Sequence, residues 1–263
     1  DVYKRQGTDI TYSGSDTTLT ANWAAFTETV SGLQKYEYAI GTTSGGTDVL
    51  TWTDNSTTRS VTKTGLTLTS GSTYYVSVRC TDIAGNVSTT ITSNGVTVDT
   101  AAPTVGSATD SSSTDLDWTR STSTLTGVWT GFSDALSGIE KYEYAIGTTS
   151  GGTNIVTWTD NTTTTNVTKT GLSLTNGTKY YISVRARDNV GNVSTAVTTD
   201  GITVDTDVPT IASVFEGSLA TDIDYQNSGS ELIISWSGSD SASGMAFYAV
   251  SYTHLTLPTN REV

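Results

Sequence analysis

Histidine and cysteine are almost absent from this sequence, which has one of each among 263 residues. A Ser-His-Asp or Cys-His arrangement needs a histidine beside its nucleophile, and a zinc site needs several histidine or cysteine ligands. The scarcity of histidine and cysteine argues against both kinds of site. We therefore expect a protein that is not an enzyme. The one cysteine, Cys80, is replaced by Ala186 in a second copy of its segment. We therefore expect Cys80 to be a small buried apolar residue and not a reactive thiol.

Basic residues are also few, since 13 Lys and Arg face 26 Asp and Glu, for a net charge of -13. A surface this acidic repels phosphate backbones, so the composition predicts no nucleic-acid partner. No apolar run approaches the roughly 20 residues that a membrane-spanning helix requires, which predicts no membrane span. No glycine-rich nucleotide-binding motif is present in a strand-to-helix setting, and no certain cofactor is expected.

The two ends of the chain do not look like protein-coding sequence of the same origin as the rest. The opening DVYKRQ (1–6) and the VSYTH that begins at 250 can be encoded by opposite strands of one short DNA element. That element resembles a transposase adapter used in sequencing libraries. We therefore expect 1–6 and 250–263 to be adapter artefacts, with a truncated natural protein between them. The only histidine, His254, falls inside the second artefact.

What the sequence does contain is a long internal repeat with a constant spacing of 106 residues. The paired positions include Trp23 with Trp129, Tyr36 with Tyr142, Trp52 with Trp158, Tyr74 with Tyr180, Asp99 with Asp205 and Pro103 with Pro209. A third copy starts near 210 and is interrupted where the second artefact begins. The predicted division is a first domain at 7–102, a second at 103–208 and a truncated third at 209–249.

Each copy reads as all-β, because short alternating runs recur between turn residues and no helical period is sustained. The stretch KYEYAIGTTSGGT stands at 35–47 and again at 141–153. Its first half predicts a strand with Tyr36, Tyr38 and Ile40 on one face, and its second half a glycine-containing loop. We interpret the identity as a copied block. About seven short strands per copy predict tandem Ig-like β-sandwiches.

The pattern L-x-x-G-x-x-Y-x-V-x-V at 68–78 resembles one corner of fibronectin type III domains, and the second copy carries its equivalent at 174–184. The resemblance implies that Tyr74 and Tyr180 bind the preceding loop through their hydroxyls. It also implies that Trp23 and Trp129 fill the core between two sheets. The usual prolines of the family are missing, which leaves a bacterial Ig-like relative as the alternative.

The phrases VTVDTAAPT and VTVDTDVPT, at the ends of the first two copies, resemble the repeat joints of large secreted bacterial surface proteins. That resemblance implies an extracellular or cell-surface location. It also implies contact with neighbouring repeats and, as further partners, a glycan or a protein of a host or cell surface.

Calcium is the cofactor hypothesis that the acidic residues support, because hard cations are bound by carboxylates and loop carbonyls. Two turns share the pattern D-x-x-G-N, and one aspartate precedes each joint. The candidate ligands are Asp82, Asn86, Asp99, Asp188, Asn192 and Asp205. The alternative for the turns is that Asp and Asn only satisfy their own backbone.

Trp52 and Trp158 lie in a repeated TWTDN segment and form the second candidate site. Exposed indoles on a sandwich face can stack on sugar rings, whereas buried ones serve packing. The aspartate pairs 115/117 and 222/224 could act as catalytic carboxylates. The preferred interpretation is a solvent-facing edge strand whose charges block aggregation.

Two functions follow from these observations. The first is a non-catalytic spacer or adhesive array in a larger bacterial surface or secreted protein. The alternative is an accessory carbohydrate-binding module of a secreted polysaccharide-degrading enzyme. Exposure of the two tryptophans discriminates between them, because the fold alone does not.

Overall fold

A computed structural model describes residues 9–27, 29–111, 114–217, 223–224 and 232–251. The segment 1–6 that is predicted to be an artefact, most of the second such segment with His254, and Asp222 of the second aspartate pair lie outside the described residues. In the described residues all regular structure is β-strand, which confirms the all-β prediction. None of the described segments is a helix long and apolar enough to cross a membrane.

The first domain is built from short strands separated by glycine-containing and polar turns. Its described strands are β1 (Tyr12–Ser13), β2 (Leu19–Asn22), β3 (Leu33–Gly41), β4 (Leu50–Asp54), β5 (Ser60–Lys63), β6 (Thr73–Asp82), β7 (Ile91–Thr92) and β8 (Val96–Val98). One sheet has the order β1-β8-β6-β3-β4, with β7 also paired to β6, and β2 pairs with β5 in the other.

The second domain repeats this arrangement 106 residues later. Its described strands are β9 (Ser107–Thr109), β10 (Trp118–Thr119), β11 (Leu125–Thr130), β12 (Ile139–Gly147), β13 (Val156–Asp160), β14 (Asn166–Lys169), β15 (Lys179–Asp188), β16 (Val197–Thr198) and β17 (Ile202–Val204). The larger sheet has the order β10-β17-β15-β12-β13 and the smaller one β14-β11-β9. The chain therefore passes from one sheet to the other between β9 and β10.

The two sheets of each domain enclose its hydrophobic core, as the alternation in the strands predicts. In β3, Tyr36, Tyr38 and Ile40 are all buried, and their counterparts in β12 are buried too. Trp23 meets Tyr36 edge to face at 5.8 Å between ring centroids, and Trp129 meets Tyr142 in the same way. The tandem Ig-like sandwich prediction is confirmed. The strands outnumber the expected seven because the edge segments are split into short pieces.

Two further residues that the fibronectin resemblance singled out lie at the sheet corner. The Thr69 N–H donates to the Tyr74 hydroxyl at 2.8 Å, and the Thr175 N–H donates to the Tyr180 hydroxyl at 2.9 Å. Each tyrosine thus closes the loop five residues before it while its ring stays in the core.

The duplicated loop after β3 owes its glycines to a close approach of two backbone segments. A Cβ placed on Gly41 would lie 2.4 Å from the Gly46 carbonyl carbon, and one on Gly147 would lie 2.4 Å from that of Gly152. No side chain fits between backbones at that separation. Packing therefore explains the shared glycines, as expected for a loop that needs them, and the other identical positions are still interpreted as a copied block.

Cys80 differs from its predicted environment. It packs beside the first core but is only partly buried, whereas Ala186, its counterpart, is fully buried. Cys80 is in β6, close to the turn that follows that strand.

The third copy contributes two strands to the described structure, β18 (Thr210–Glu216) and β19 (Ile234–Ser239), which pair in antiparallel fashion. Ile211 and Val214 remain more than half exposed in this two-stranded sheet. A pair of strands has no second layer to cover its apolar side chains, as expected for a partial sandwich.

Candidate cation site at the domain joint

The aspartate that follows β8 is the first element of the candidate site. Asp99 is fully buried although it begins the linker between the first two domains. Its Oδ2 accepts a hydrogen bond from the Ser137 N–H of the second domain at 3.0 Å, and its Oδ1 accepts one from Ala101 at 3.1 Å. The carboxylate thus bridges the linker and the second domain.

The turn after β15 supplies the second carboxylate. Asp188 is fully buried, and its Oδ1 accepts hydrogen bonds from the N–H groups of Val190, Gly191 and Asn192 at 3.0, 2.7 and 2.8 Å. These bonds are the turn geometry that the D-x-x-G-N pattern predicts. They also fix the carboxylate toward the joint.

Asn192 carries the contact across the joint. Its Nδ2 donates to Asp188 Oδ2 at 2.7 Å and also approaches the carbonyl oxygens of Asp99 and Ala101 at 3.1 and 3.2 Å. One side chain of the second domain therefore ties the linker backbone to the turn.

A third carboxylate, which sequence reasoning missed, comes from the loop between β11 and β12. Asp134 is half-buried, and its Oδ1 accepts hydrogen bonds from the Leu136 and Gly138 N–H groups at 3.1 and 2.8 Å. One carboxylate oxygen each of Asp99, Asp134 and Asp188 lies within 4.8 Å of the other two. The missed signal is the segment SDALSG at 133–138, which recurs as SDSASG at 239–244.

The charges of this cluster are not balanced by side chains. No salt bridge found among the described residues involves Asp99, Asp134 or Asp188. Three carboxylates and nearby backbone carbonyls are the oxygen ligands that calcium prefers. The three carboxylates could therefore serve as ligands of a hard divalent cation, and such a cation would contact both the linker and the second domain.

The joint after the second domain reproduces half of this arrangement. The Ser243 N–H donates to Asp205 Oδ2 at 3.1 Å, and the Gly244 N–H donates to Asp240 Oδ1 at 3.0 Å. The hydrogen bonds from Ser243 and from the Asp207 N–H outweigh desolvation and lower the pKa of the Asp205 carboxyl.

The remaining predicted ligands, Asp82 and Asn86, lie away from both joints. The Asn86 backbone N–H donates to Asp82 Oδ1 at 2.7 Å, and its Nδ2 donates to Oδ2 at 2.8 Å. The Asn86 bonds are the main cause of the lowered pKa of Asp82. Asn192 makes the same two bonds to Asp188, but no group of three acidic residues found among the described residues includes Asp82. For Asp82 the self-satisfied turn, the alternative to a cation site, is therefore favoured.

The two tryptophans of the second candidate site are half-buried on the outer face of the larger sheet. The Arg79 guanidinium carbon stands 4.2 Å from the Trp52 ring centroid, and Arg185 stands at the same distance from Trp158. The arginines are held by glutamates, with Arg79 Nε 2.9 Å from Glu37 Oε2. An arginine therefore covers one face of each indole, and a ligand could contact only the part of the ring that the arginine leaves exposed.

The edge-strand interpretation of Asp115 and Asp117 is wrong for the described residues. Both precede β10 and lie outside any strand. Asp115 turns back to accept a hydrogen bond from the Asp110 N–H at 3.2 Å, and the Asp117 carbonyl accepts one from Thr203 at 2.8 Å.

Comparison with known proteins finds matches to parts of bacterial enzymes, whereas no family model matches. The chain is similar to Exoglucanase B of Cellulomonas fimi, at 32% identity over an alignment of 246 positions that covers 86% of this chain and 20% of that protein. It is also similar to Chitinase A1 of Niallia circulans, at 35% identity over 49% of this chain and 17% of that protein. The chain thus spans a fifth or less of the length of these relatives.

Two solved structures are similar at lower identity. The FN1–FN3 domains of chicken CNTN1 match at 16% identity and a TM-score of 0.37, over 71% of this chain and 63% of theirs. Domains A168–A170 of titin match at 17% identity and a TM-score of 0.44, over 76% of this chain and 64% of theirs.

Proposed function

We propose that this chain is a non-catalytic, extracellular spacer of a larger bacterial protein and that calcium bound at its joint holds successive domains in a fixed orientation. The observation that carries the proposal is the convergence of Asp99, Asp134 and Asp188. One belongs to the linker and two belong to different loops of the second domain, so a cation shared by all three restrains the linker.

A spacer requires a joint that resists bending, and the described contacts supply only part of that resistance. The linker between β8 and the second domain is tied by the Ser137 N–H and the Asn192 amide. One oxygen of each carboxylate lies within 4.8 Å of the other two. At that limiting distance and an effective dielectric constant of about 20, two unit charges repel by about 3.5 kcal/mol. A bound divalent cation turns this repulsion into attraction and thereby stiffens the joint.

The parent protein is best sought among secreted polysaccharide-degrading enzymes, since both curated relatives are named for glucan or chitin degradation. The chain covers only a small part of each of them. A role that separates a catalytic domain from its neighbours agrees with this partial coverage and with the scarcity of histidine. We therefore expect no hydrolysis of cellulose or chitin by this chain.

Small-angle X-ray scattering of the full chain, in calcium and in a chelator, tests the spacer proposal. We expect a narrower distribution of interdomain distances in calcium, and no such narrowing in Asp188→Asn. Asp82→Asn is the matched control, because it alters the same turn pattern away from the joint. Equal distributions in calcium and chelator for the wild type would contradict the proposal.

Glycan binding is the second candidate function, and the repeated, half-exposed Trp52 and Trp158 favour it together with the names of the relatives. Their spacing of 106 residues presents one indole on each domain. Sedimentation with insoluble cellulose and chitin tests it. Glycan binding at the indoles predicts that the double variant Trp52→Ala, Trp158→Ala loses binding and that the control Trp118→Ala keeps it. Binding that the double variant leaves unaffected would reject this function.

A further inference from the structure

A second group of carboxylates lies in the second domain, where the chain crosses from β9 in one sheet to β10 in the other. Asp110 follows β9, Asp115 precedes β10, and Asp200 lies in the turn between β16 and β17. One carboxylate oxygen of each lies within 4.8 Å of the other two. None of these residues belongs to the joint described above.

Asp110 is the unusual member, because its side chain is buried without full compensation. The residue is 2% exposed, and its Oδ2 accepts a hydrogen bond from the Gly201 N–H at 2.9 Å. Its Oδ1 is buried and has no hydrogen-bond partner among the described residues. A buried carboxylate oxygen without a donor is costly, so a missing partner is expected beside it.

The electrostatic surroundings add to this cost. Burial raises the pKa of the Asp110 carboxyl to about 6, although hydrogen bonding from the Thr199 side chain and from the Gly201 N–H lowers it. The negative charges of Asp200 and Asp115 raise the pKa further. No salt bridge among the described residues reaches any of the three carboxylates. At neutral pH the site therefore concentrates negative charge around a buried oxygen.

The first domain carries only one carboxylate at the three equivalent positions, because Lys4 stands 106 residues before Asp110. Asn94 stands 106 residues before Asp200, and Asp9 stands 106 residues before Asp115. Asn94 Nδ2 donates to Asp9 Oδ2 at 3.0 Å. In the second domain a carboxylate replaces both the amide donor and the lysine of these positions. A cation from outside the chain would balance the added negative charge.

We propose that Asp110, Asp115 and Asp200 bind a hard divalent cation, with calcium as the expected ion. The buried Oδ1 of Asp110 is the inner ligand, and the two exposed carboxylates close the site from the solvent side. The cation would fasten the crossover between the sheets to the turn before β17. The proposal uses none of the joint residues and does not depend on the spacer function.

Calorimetric titration of the full chain with calcium, after removal of bound metal, tests the site. We expect Asp200→Asn to lower the number of bound ions by one, because it restores the amide found in the first domain and should fold normally. Asp117→Asn changes the net charge equally and should leave the number unchanged. An unchanged number in both Asp200→Asn and Asp110→Asn would overturn the proposal.

Hydrogen exchange in the wild type, Asp200→Asn and Asp188→Asn shows which segment calcium protects. Calcium should slow exchange in 199–203 of the wild type and of Asp188→Asn, and should have no effect there in Asp200→Asn. If the joint does not bind calcium, calcium should still slow amide exchange at 199–203 but should leave amide exchange at 134–138 unchanged. Slowing at 199–203 that persists in Asp200→Asn would contradict the assignment of these ligands.

Discussion

Removal of calcium from the joint is the perturbation with the largest expected effect on stability. Extracellular calcium modules commonly have dissociation constants of about 0.1–1 mM. At about 10 mM calcium, such a site stabilises the folded state by about 1.4–2.7 kcal/mol through linkage. For a domain of about 100 residues, each kcal/mol shifts the melting temperature by roughly 4–8 °C, so a chelator should lower it by roughly 6–20 °C.

Scanning calorimetry of the full chain, in calcium and in a chelator, measures this difference. Asp134→Asn keeps the size of the side chain and removes one of three charges, so it should abolish most of the calcium-dependent shift at the joint. In the chelator the same variant should melt at or above the wild-type temperature, because the repulsion among the carboxylates is reduced. A calcium-dependent shift that Asp134→Asn and Asp188→Asn leave intact would refute the reasoning.

Three further predictions concern the sandwich itself. Tyr180→Phe removes the hydroxyl that accepts from the Thr175 N–H and should cost about 1 kcal/mol in urea unfolding; no loss would show that the corner bond is dispensable. Gly147→Ala brings a Cβ within 2.4 Å of Gly152 and should lower the melting temperature by at least several degrees, whereas an unchanged value would contradict the packing explanation. Burial acts to raise the pKa of Glu37, but the hydrogen bonds from Lys35 and Arg79 outweigh burial, and the net pKa is lowered. The stabilisation from Glu37 is therefore present above its unfolded pKa and lost as the pH falls through the lower folded value, so Glu37→Gln should flatten the acid limb of the stability curve.

Local patterns were sufficient for the strands and the core. Alternation in YEYAI predicted that Tyr36, Tyr38 and Ile40 share a buried face, because side chains of a strand point to opposite faces with a period of two. The spacing of 106 residues predicted that the second domain repeats the first. These features depend on neighbours along the chain, which the sequence displays directly.

The cation sites depend on residues that are distant along the chain, and here sequence reasoning reached only part of the answer. Asp99 and Asp188 were candidates because they recur beside joints and turns. Asp134 was missed because its one sequence signal is the recurrence of SDALSG as SDSASG in the third copy, which does not show that the loop meets Asp99 and Asp188. Asp115 was placed on a strand, whereas the structure turns it toward Asp110 and Asp200.

The sequence by itself determined the repeat, the all-β class, the buried faces of the strands and the scarcity of catalytic side chains. Only the tertiary structure decided which carboxylates meet, because the pairing of sheets and the path of the linker bring together loops that lie 35 to 90 residues apart. The repulsion between two carboxylates depends on their distance in space, and the tertiary structure determines that distance.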